Sequence, residues 1–330
     1  MAEQVAVSNS LRRPARLTDL GLLVLCNLMF GAQYPATKTS VTSMGPVFLS
    51  LLTFVLGAFC LVPFFLFESR AHPDQPPALA LFRGRNLFPF LMATALGFLP
   101  ASVVLAWGIE RSLATNAALL TLSIPVFTAM LASLVREERM NRWRWLSFVL
   151  GITGAVISSE IDWRNLQVLN ARYLLGNGLI LIGCSGSAFT NVFSKGLLER
   201  FQPIRLLMTS YLFTGLICLL LLVWLEPVKW GIVRAYPKDA WVGLGILGFF
   251  SWGISMVLFF RVLSRLEVTQ VSLSIYLLPF FGVLLSAIFL KERITPAIVA
   301  GGLLVLAGTT LILFADNRAN LKHQEKGTAT

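Results

Sequence analysis

Asn27, Gly31, Tyr34 and Lys38 follow one another at spacings of four, three and four residues. Helical periodicity puts such residues on one face. Gly183, Ser187, Asn191 and Lys195 repeat every four residues and form a second stripe. Amides and a phenol are neutral donors and acceptors, suited to reversible binding of an uncharged or zwitterionic solute. Gln33 and Thr190 occupy matched positions beside these stripes, Trp107 and Trp252 add aromatic faces, and Asn116, Gln270 and Tyr276 add further polar groups. We take Asn27, Gln33, Tyr34, Trp107, Asn116, Thr190, Asn191, Trp252, Gln270 and Tyr276 as candidate substrate-binding residues. Each also has a structural reading. Small residues at these spacings pack helices, amides tie helices together, Asn116 and Gln270 suit helix caps, and tryptophan suits membrane interfaces.

Catalytic and metal chemistry find few parts. The two histidines, His72 and His323, fall in a loop and in the tail. Cys26, Cys60, Cys184 and Cys218 all lie in apolar stretches without a C-x-x-C pair, so they read as small packing residues. No Asp or Glu stands at the centre of an apolar stretch; Glu160 and Asp162 lie at the end of one. Buried carboxylates are the usual coupling groups of ion-driven pumps, which favours facilitated or exchange transport here. No G-x-x-x-x-G-K-[ST] loop is present, so ATP is not expected. We expect no catalytic residue, no metal and no cofactor. An intramembrane lipid-modifying enzyme would need an acid, base or nucleophile inside the membrane. A non-transporting receptor or scaffold would be expected to carry an extramembrane domain.

The elements that position these residues are legible from composition. The chain has 330 residues, 56% hydrophobic and 13% charged, with mean hydropathy +0.75. Soluble proteins are about 25% charged. The apolar residues come in ten blocks, at 17–37, 45–67, 87–109, 115–135, 145–159, 173–194, 204–225, 240–260, 268–290 and 296–315. They do not alternate as barrel strands do, and a helix satisfies its backbone within one span. The expected fold is therefore an all-α polytopic membrane protein of ten transmembrane helices.

Arg12, Arg13 and Arg16 precede the first block without a following cleavage site, so that block reads as a retained helix. With the amino end inside, the inner segments hold 18 Lys and Arg and the outer ones 9. That asymmetry places both termini in the cytoplasm. The net charge of +11 is spread between apolar blocks, which argues against nucleic acid as a partner. The expected partners are a small-molecule substrate and the lipid bilayer, and no pattern specifies an oligomeric state. The 68–85 loop, with Pro73, Pro76 and Pro77, reads as extended.

The two halves resemble each other. Asn116-Ala-Ala-Leu119, Pro125, Leu131 and Glu138-Arg139 align with Gln270-Val-Ser-Leu273, Pro279, Leu285 and Glu292-Arg293 at an offset of 154 residues. Gly31–Lys38 lies over Ala188–Lys195 at 157. A five-helix unit repeated after an odd number of crossings is inverted, and inverted repeats provide alternating access to a central site. The organisation expected is a cytoplasmic arm (1–16), a first repeat (17–160), a connecting loop (161–172), a second repeat (173–315) and a disordered cytoplasmic tail (316–330).

At these residues the chain resembles the EamA-type members of the drug/metabolite transporter superfamily. The resemblance rests on Phe30-Gly31-Ala32-Gln33-Tyr34 with Lys38, on a mid-helix proline in each half, on Glu138-Arg139 and Glu292-Arg293, and on the glycines at 151–154 and 301–308. The glycine usual before the Glu is missing from both closing pairs. The resemblance implies ten helices, cytoplasmic termini, a central cavity in the inner membrane, and export of amino acids, other metabolites or drugs. Glu138-Arg139 and Glu292-Arg293 themselves read as interface anchors or gate-side ion pairs.

Overall fold

The computed structural model describes residues 17–71, 76–135, 142–157, 173–226, 233, 235–265, 277–304, 306–308 and 311. These are helical, with no strand among the described residues. Five helices are long and apolar enough to cross a membrane: Pro46–Glu68, Gly84–Glu110, Ala114–Ala132, Pro203–Leu225 and Lys238–Val262.

The first block does not end at Thr37. It forms α1 (Leu17–Gly31) and α2 (Gln33–Met44), joined at Ala32. Pro35 has no N–H to give the Gly31 carbonyl, which accounts for a break there. The amides of Ala32 and Ala36 still bond four residues back, so the chain bends and continues. Lys38, just beyond the apolar block that ends at Thr37, is helical, as its place in the stripe requires. Next come α3 (Pro46–Ala71) and α4, which runs from Leu87–Ala93 through π-helical Thr94–Phe98 and Pro100–Val104 into Leu105–Glu110. In α5, Ala114–Leu120 passes through a 3-10 turn, Thr121–Ser123, into Ile124–Val135. Pro125 follows that turn, where its missing donor disfavours regular α-helix.

The remaining elements are α6 (Arg142–Ile157), α7 (Leu174–Leu198), α8 (Pro203–Leu225), α9, α10 (Leu277–Leu290) and α11 (Pro296–Gly308). Like α4, its matched helix, α9 contains a π-helical centre: Lys238–Gly245, Ile246–Ser255 and Met256–Arg265. The extended loop expected at 68–85 is corrected in part. Helix α3 reaches Ala71, and Ala78–Phe82 and Gly84–Asn86 form 3-10 turns with Leu81 fully buried. The Arg205 guanidinium donates to the Pro76 carbonyl and ties this segment to α8.

Packing crosses between the halves. Helix α3 lies against α8 and α9, α4 against α7, and α10 against α1 and α5. Glycine permits the closest approaches: a Cβ added at Gly183 would stand 2.8 Å from the Leu105 Cβ, and one at Gly31 would stand 2.7 Å from the Phe281 Cβ. The glycines of the two stripes thus serve contact between helices, as in other membrane bundles. One aromatic core unites Phe54, Phe98, Tyr211 and Trp252. A second core surrounds Tyr34, Leu120 and Ile180.

Candidate substrate cavity

A cavity of about 120 Å³ lies between α1, α2, α4, α5, α7, α9 and α10. Its polar side comes from the two stripes: Asn27, Gln33 and Tyr34 on α1 and α2, and Ser187, Thr190 and Asn191 on α7. Thr121 joins them from the 3-10 turn of α5. The apolar side is Phe98, Ala101 and Leu105 from α4, Trp252, Met256 and Phe259 from α9, with Ile124 and Leu278. Phe30 and Cys184 complete the lining. No charged side chain is among these residues.

The polar groups differ in how they are committed. The Asn27 amide donates to the Leu23 carbonyl at 2.7 Å, using one donor within its own helix. Thr190 Oγ1 donates to the Ala93 carbonyl at 3.3 Å, so it joins α7 to α4. Thr121 Oγ1 donates to the Ala118 carbonyl at 2.6 Å. Tyr34 is fully buried, and its hydroxyl makes no well-formed hydrogen bond, although Thr121 and Gln33 stand close enough to interact with it. An unsatisfied buried hydroxyl costs the fold about 1–3 kcal/mol, so such groups call for an explanation. Trp252 is fixed from behind: the Tyr211 hydroxyl donates to its carbonyl at 2.5 Å, and Phe54 meets its ring edge-on at 5.2 Å.

Six of the residues singled out by sequence therefore line one space: Asn27, Gln33, Tyr34, Thr190, Asn191 and Trp252. Trp107 and Asn116 do not. Trp107 carries the Arg111 guanidinium over its ring at 6.0 Å, near the end of α4. Asn116 is fully buried in a network with Ser112 and Asn177, where its amide donates to Ser112 Oγ at 3.3 Å. Helical periodicity fixes the face of a residue but not its height along the bundle, and both sit near the helix ends. Gln270, Tyr276 and Glu138-Arg139 lie outside the described residues. Sequence reasoning missed Phe98, Ala101, Thr121, Met256 and Phe259. The π-helical and 3-10 stretches rotate them away from the faces that a regular helix predicts. Pro100 and Pro125 were the available signals.

A set of ionised groups lies away from this cavity, at one end of the bundle. Lys38 Nζ donates to the carbonyls of Ile109, Glu110 and Ser112, at 2.8, 3.0 and 2.5 Å. The Glu292 carboxylate accepts from the amides of Ala114 and Thr115, both at 2.9 Å, and from Thr115 Oγ1 at 2.6 Å. Glu226 accepts from the Val47 amide at 2.9 Å at the start of α3. Burial pushes the Glu226 carboxyl above the usual carboxylate range, while the amides of Val47 and Phe48 pull it back. Ser40 Oγ donates to the Ala240 carbonyl at 2.9 Å. The Glu292, Glu226 and Ser40 contacts each join one half of the chain to the other. The expectation that Glu292 is an anchor agrees with this, although its partners are backbone amides at a helix N-terminus. Among the described residues no cluster of three or more His, Cys, Asp or Glu could hold a metal ion.

The chain is similar to an uncharacterised transporter of Bacillus subtilis, 23% identical over 303 residues that cover 90% of this chain and 97% of the relative. It is 25% identical to a probable terminal-alkyne amino-acid exporter of Streptantibioticus cattleyicolor, covering 88% of this chain and 91% of the relative. It is 21% identical to an S-adenosylmethionine uptake transporter of Rickettsia conorii, covering 94% and 97%. A protein of known crystal structure shares the fold, with a TM-score of 0.60 at 16% identity over 92% of this chain and 99% of that one. The EamA-like transporter family model matches twice, over residues 18–159 and 174–314, the two halves that the internal repeat delimits. With nearly its whole length covered by these two copies, the chain belongs to the EamA-like transporter family.

Proposed function

We propose that this membrane transporter moves small neutral or zwitterionic metabolites, amino acids among them, outward across the cytoplasmic membrane. In this reading ten helices form two inverted five-helix repeats, and the repeats rock about the cavity to expose it to each side in turn. Both termini are cytoplasmic. The observation that carries the reading is the cavity lining. Neutral polar side chains from matched helices of the two repeats face an apolar and aromatic wall, with no charged group among them. Such a site holds a polar head and an apolar body without charge to neutralise a multivalent ion. Its size is also informative. An apolar cavity of about 150 Å³ takes up benzene, so about 120 Å³ suits an amino acid better than a many-ringed drug. Two relatives are named for amino-acid export, the probable terminal-alkyne amino-acid exporter and a probable amino-acid metabolite efflux pump of Salmonella typhimurium. The uptake relative is named for S-adenosylmethionine, so the direction proposed here rests on the export relatives.

The test is flux in proteoliposomes holding the full chain. A panel of radiolabelled amino acids, with a sugar phosphate as the contrasting solute, is followed with and without proton and sodium gradients. Amino-acid movement that exceeds empty liposomes and leaves the solute chemically unchanged is expected. Selective movement of the sugar phosphate, or chemical conversion of the solute, would overturn the reading.

A further inference from the structure

A second, smaller cavity of about 20 Å³ adjoins the first. Four residues line both: Gln33, Ala101, Leu105 and Trp252. They form the septum between the two spaces. On its far side the lining changes character, to the hydroxyls of Thr37, Ser50, Thr53 and Ser102. Thr53 and Ser102 bond back to their own helices, at Leu49 and Phe98. Thr37 and Ser50 are 7% and 4% exposed, and both hydroxyl-bearing side chains line this space. Buried hydroxyls are ordinarily satisfied, by protein or by water. A void of about 10–15 Å³ already accepts one water molecule, so this space suits a hydrated polar group and is too tight for a whole amino acid.

The second cavity also has a direction. Thr37 immediately precedes Lys38, whose ammonium closes the end of α4. Leu49, another lining residue, stands two positions after Val47, whose amide meets Glu226. The space therefore borders the segments that carry the Lys38 and Glu226 contacts at this end. Two walls of the septum are unusual backbone. Ala101 is in π-helical Pro100–Val104 and Trp252 in π-helical Ile246–Ser255. Single π turns inside α-helices are frequent at functional sites.

Taking the transport reading of the central cavity as given, we propose that the second cavity is the next segment of the solute path. It is a hydrated vestibule that takes the polar head of the solute, and Trp252 is the size-selecting gate between the two spaces. Tyr211 acts as a positioning residue, holding the Trp252 backbone. Gln33 offers the one polar side chain common to both spaces, and so passes the head group from the central stripe to Thr37 and Ser50. The Lys38 and Glu226 contacts close the outer end of the vestibule.

Two measurements on the full-length chain test this. The first is the rate at which methanethiosulfonate ethylammonium modifies Ser50→Cys, read by mass spectrometry at that residue, with Lys38 intact and with Lys38→Met. Leu61→Cys is the control, on the same helix and fully buried but outside the lining. Ser50→Cys is expected to react roughly tenfold faster once Lys38 is replaced, because thiol reactivity follows access. Equal rates for the two cysteines in both backgrounds would overturn the vestibule. The second is size selection. Trp252→Ala should raise the ratio of tryptophan to alanine flux by about tenfold, and Trp252→Phe should restore most of the selectivity. An unchanged ratio would overturn the gate. If the wild-type protein moves no solute, the transport reading fails, and the thiol rates still decide whether the second cavity opens to the Lys38 side.

Discussion

Lys38 and Glu292 grip the two ends of the same turn. Lys38 donates to the Ile109 and Glu110 carbonyls that end α4 and to the Ser112 carbonyl of the turn, and Glu292 accepts from the first amides of α5. The signs are those that helix dipoles favour: positive at a C-terminus, negative at an N-terminus. Hydrogen bonds to charged groups contribute about 1.5–3 kcal/mol. Lys38→Met and Glu292→Gln should each lower the thermal unfolding midpoint in detergent. The double variant should lose less than the sum of the two, because both residues hold one turn. Wild-type midpoints for both single variants would show that the grip contributes nothing to stability.

Gly45 offers a sharper test of the same end of the bundle. Its backbone has φ 76° and ψ 158°, a region open almost only to glycine, and it costs other residues on the order of 1–3 kcal/mol. A Cβ there would also fall 1.7 Å from Glu226 Oε1. Gly45→Ala should therefore reduce folded yield severely. Adding Glu226→Ala removes the clash but not the backbone strain, so yield should recover only in part. Full recovery would mean that the backbone conformation itself carries no cost.

How much of this was legible in the sequence depends on the kind of signal. Hydropathy blocks gave the helical membrane class, and the Asn116/Gln270 and Glu138/Glu292 matches gave the repeat, because both signals survive without knowing any contact. The stripes through Asn27–Tyr34 and Ser187–Asn191 led to one wall of the cavity, since Ser187–Asn191 lies on one unbroken helix and the i→i−4 bonds at Ala32 and Ala36 carry the period across the bend between Asn27 and Tyr34. The opposite wall was hidden. Phe98 and Ala101 stand in π-helical backbone, where a 3.6-residue period does not hold, and Trp252 was found by residue type alone, not by its face. The apolar block ends at Thr37 because hydropathy falls there, although the stripe already carried Lys38 on the helix. The helix continues there because the Lys38 ammonium finds three carbonyls.

The fates of Asn191 and Asn116 should separate. Asn191 lines the cavity and is partly exposed, whereas Asn116 is fully buried between Ser112 and Asn177. Asn191→Ala should weaken solute affinity by several-fold, corresponding to a net hydrogen bond of about 0.5–1.5 kcal/mol, with protein level unchanged. Asn116→Ala should lower the unfolding midpoint and leave the affinity of the remaining folded protein near wild type. Transport per milligram of folded protein decides between them. The assignment fails if the two variants exchange behaviours.

Orientation has an independent check. The two-to-one excess of Lys and Arg in alternate segments predicts that both termini are cytoplasmic. A phosphatase reporter fused after Thr330 should stay inactive and a fluorescent protein at the same place should fold and emit. An active phosphatase would reverse the orientation, and the Lys38 end would then face the cytoplasm.

Tyr34 provides the most discriminating substitution. Its ring is fully buried, and the place for a Cβ at Gly282 is only 2.9 Å from its Cδ2. Removing the ring would leave a void, and such large-to-small changes cost about 3–5 kcal/mol. Tyr34→Ala would therefore confuse lost transport with lost folding. Tyr34→Phe avoids this, because it keeps the ring and deletes only a hydroxyl whose contacts with Thr121 and Gln33 fall short of well-formed hydrogen bonds. An unsatisfied buried hydroxyl destabilises the empty protein, so its removal should leave the unfolding midpoint unchanged or raise it. If the same hydroxyl bonds the solute, its loss should weaken affinity several-fold, again about 0.5–1.5 kcal/mol. Stability and affinity then move in opposite directions, which a residue serving only packing would not produce. The measurements are the thermal midpoint of solute-free protein and the concentration dependence of flux. Wild-type affinity in Tyr34→Phe would remove the hydroxyl from the binding site, and a lower midpoint would show that it has a structural partner.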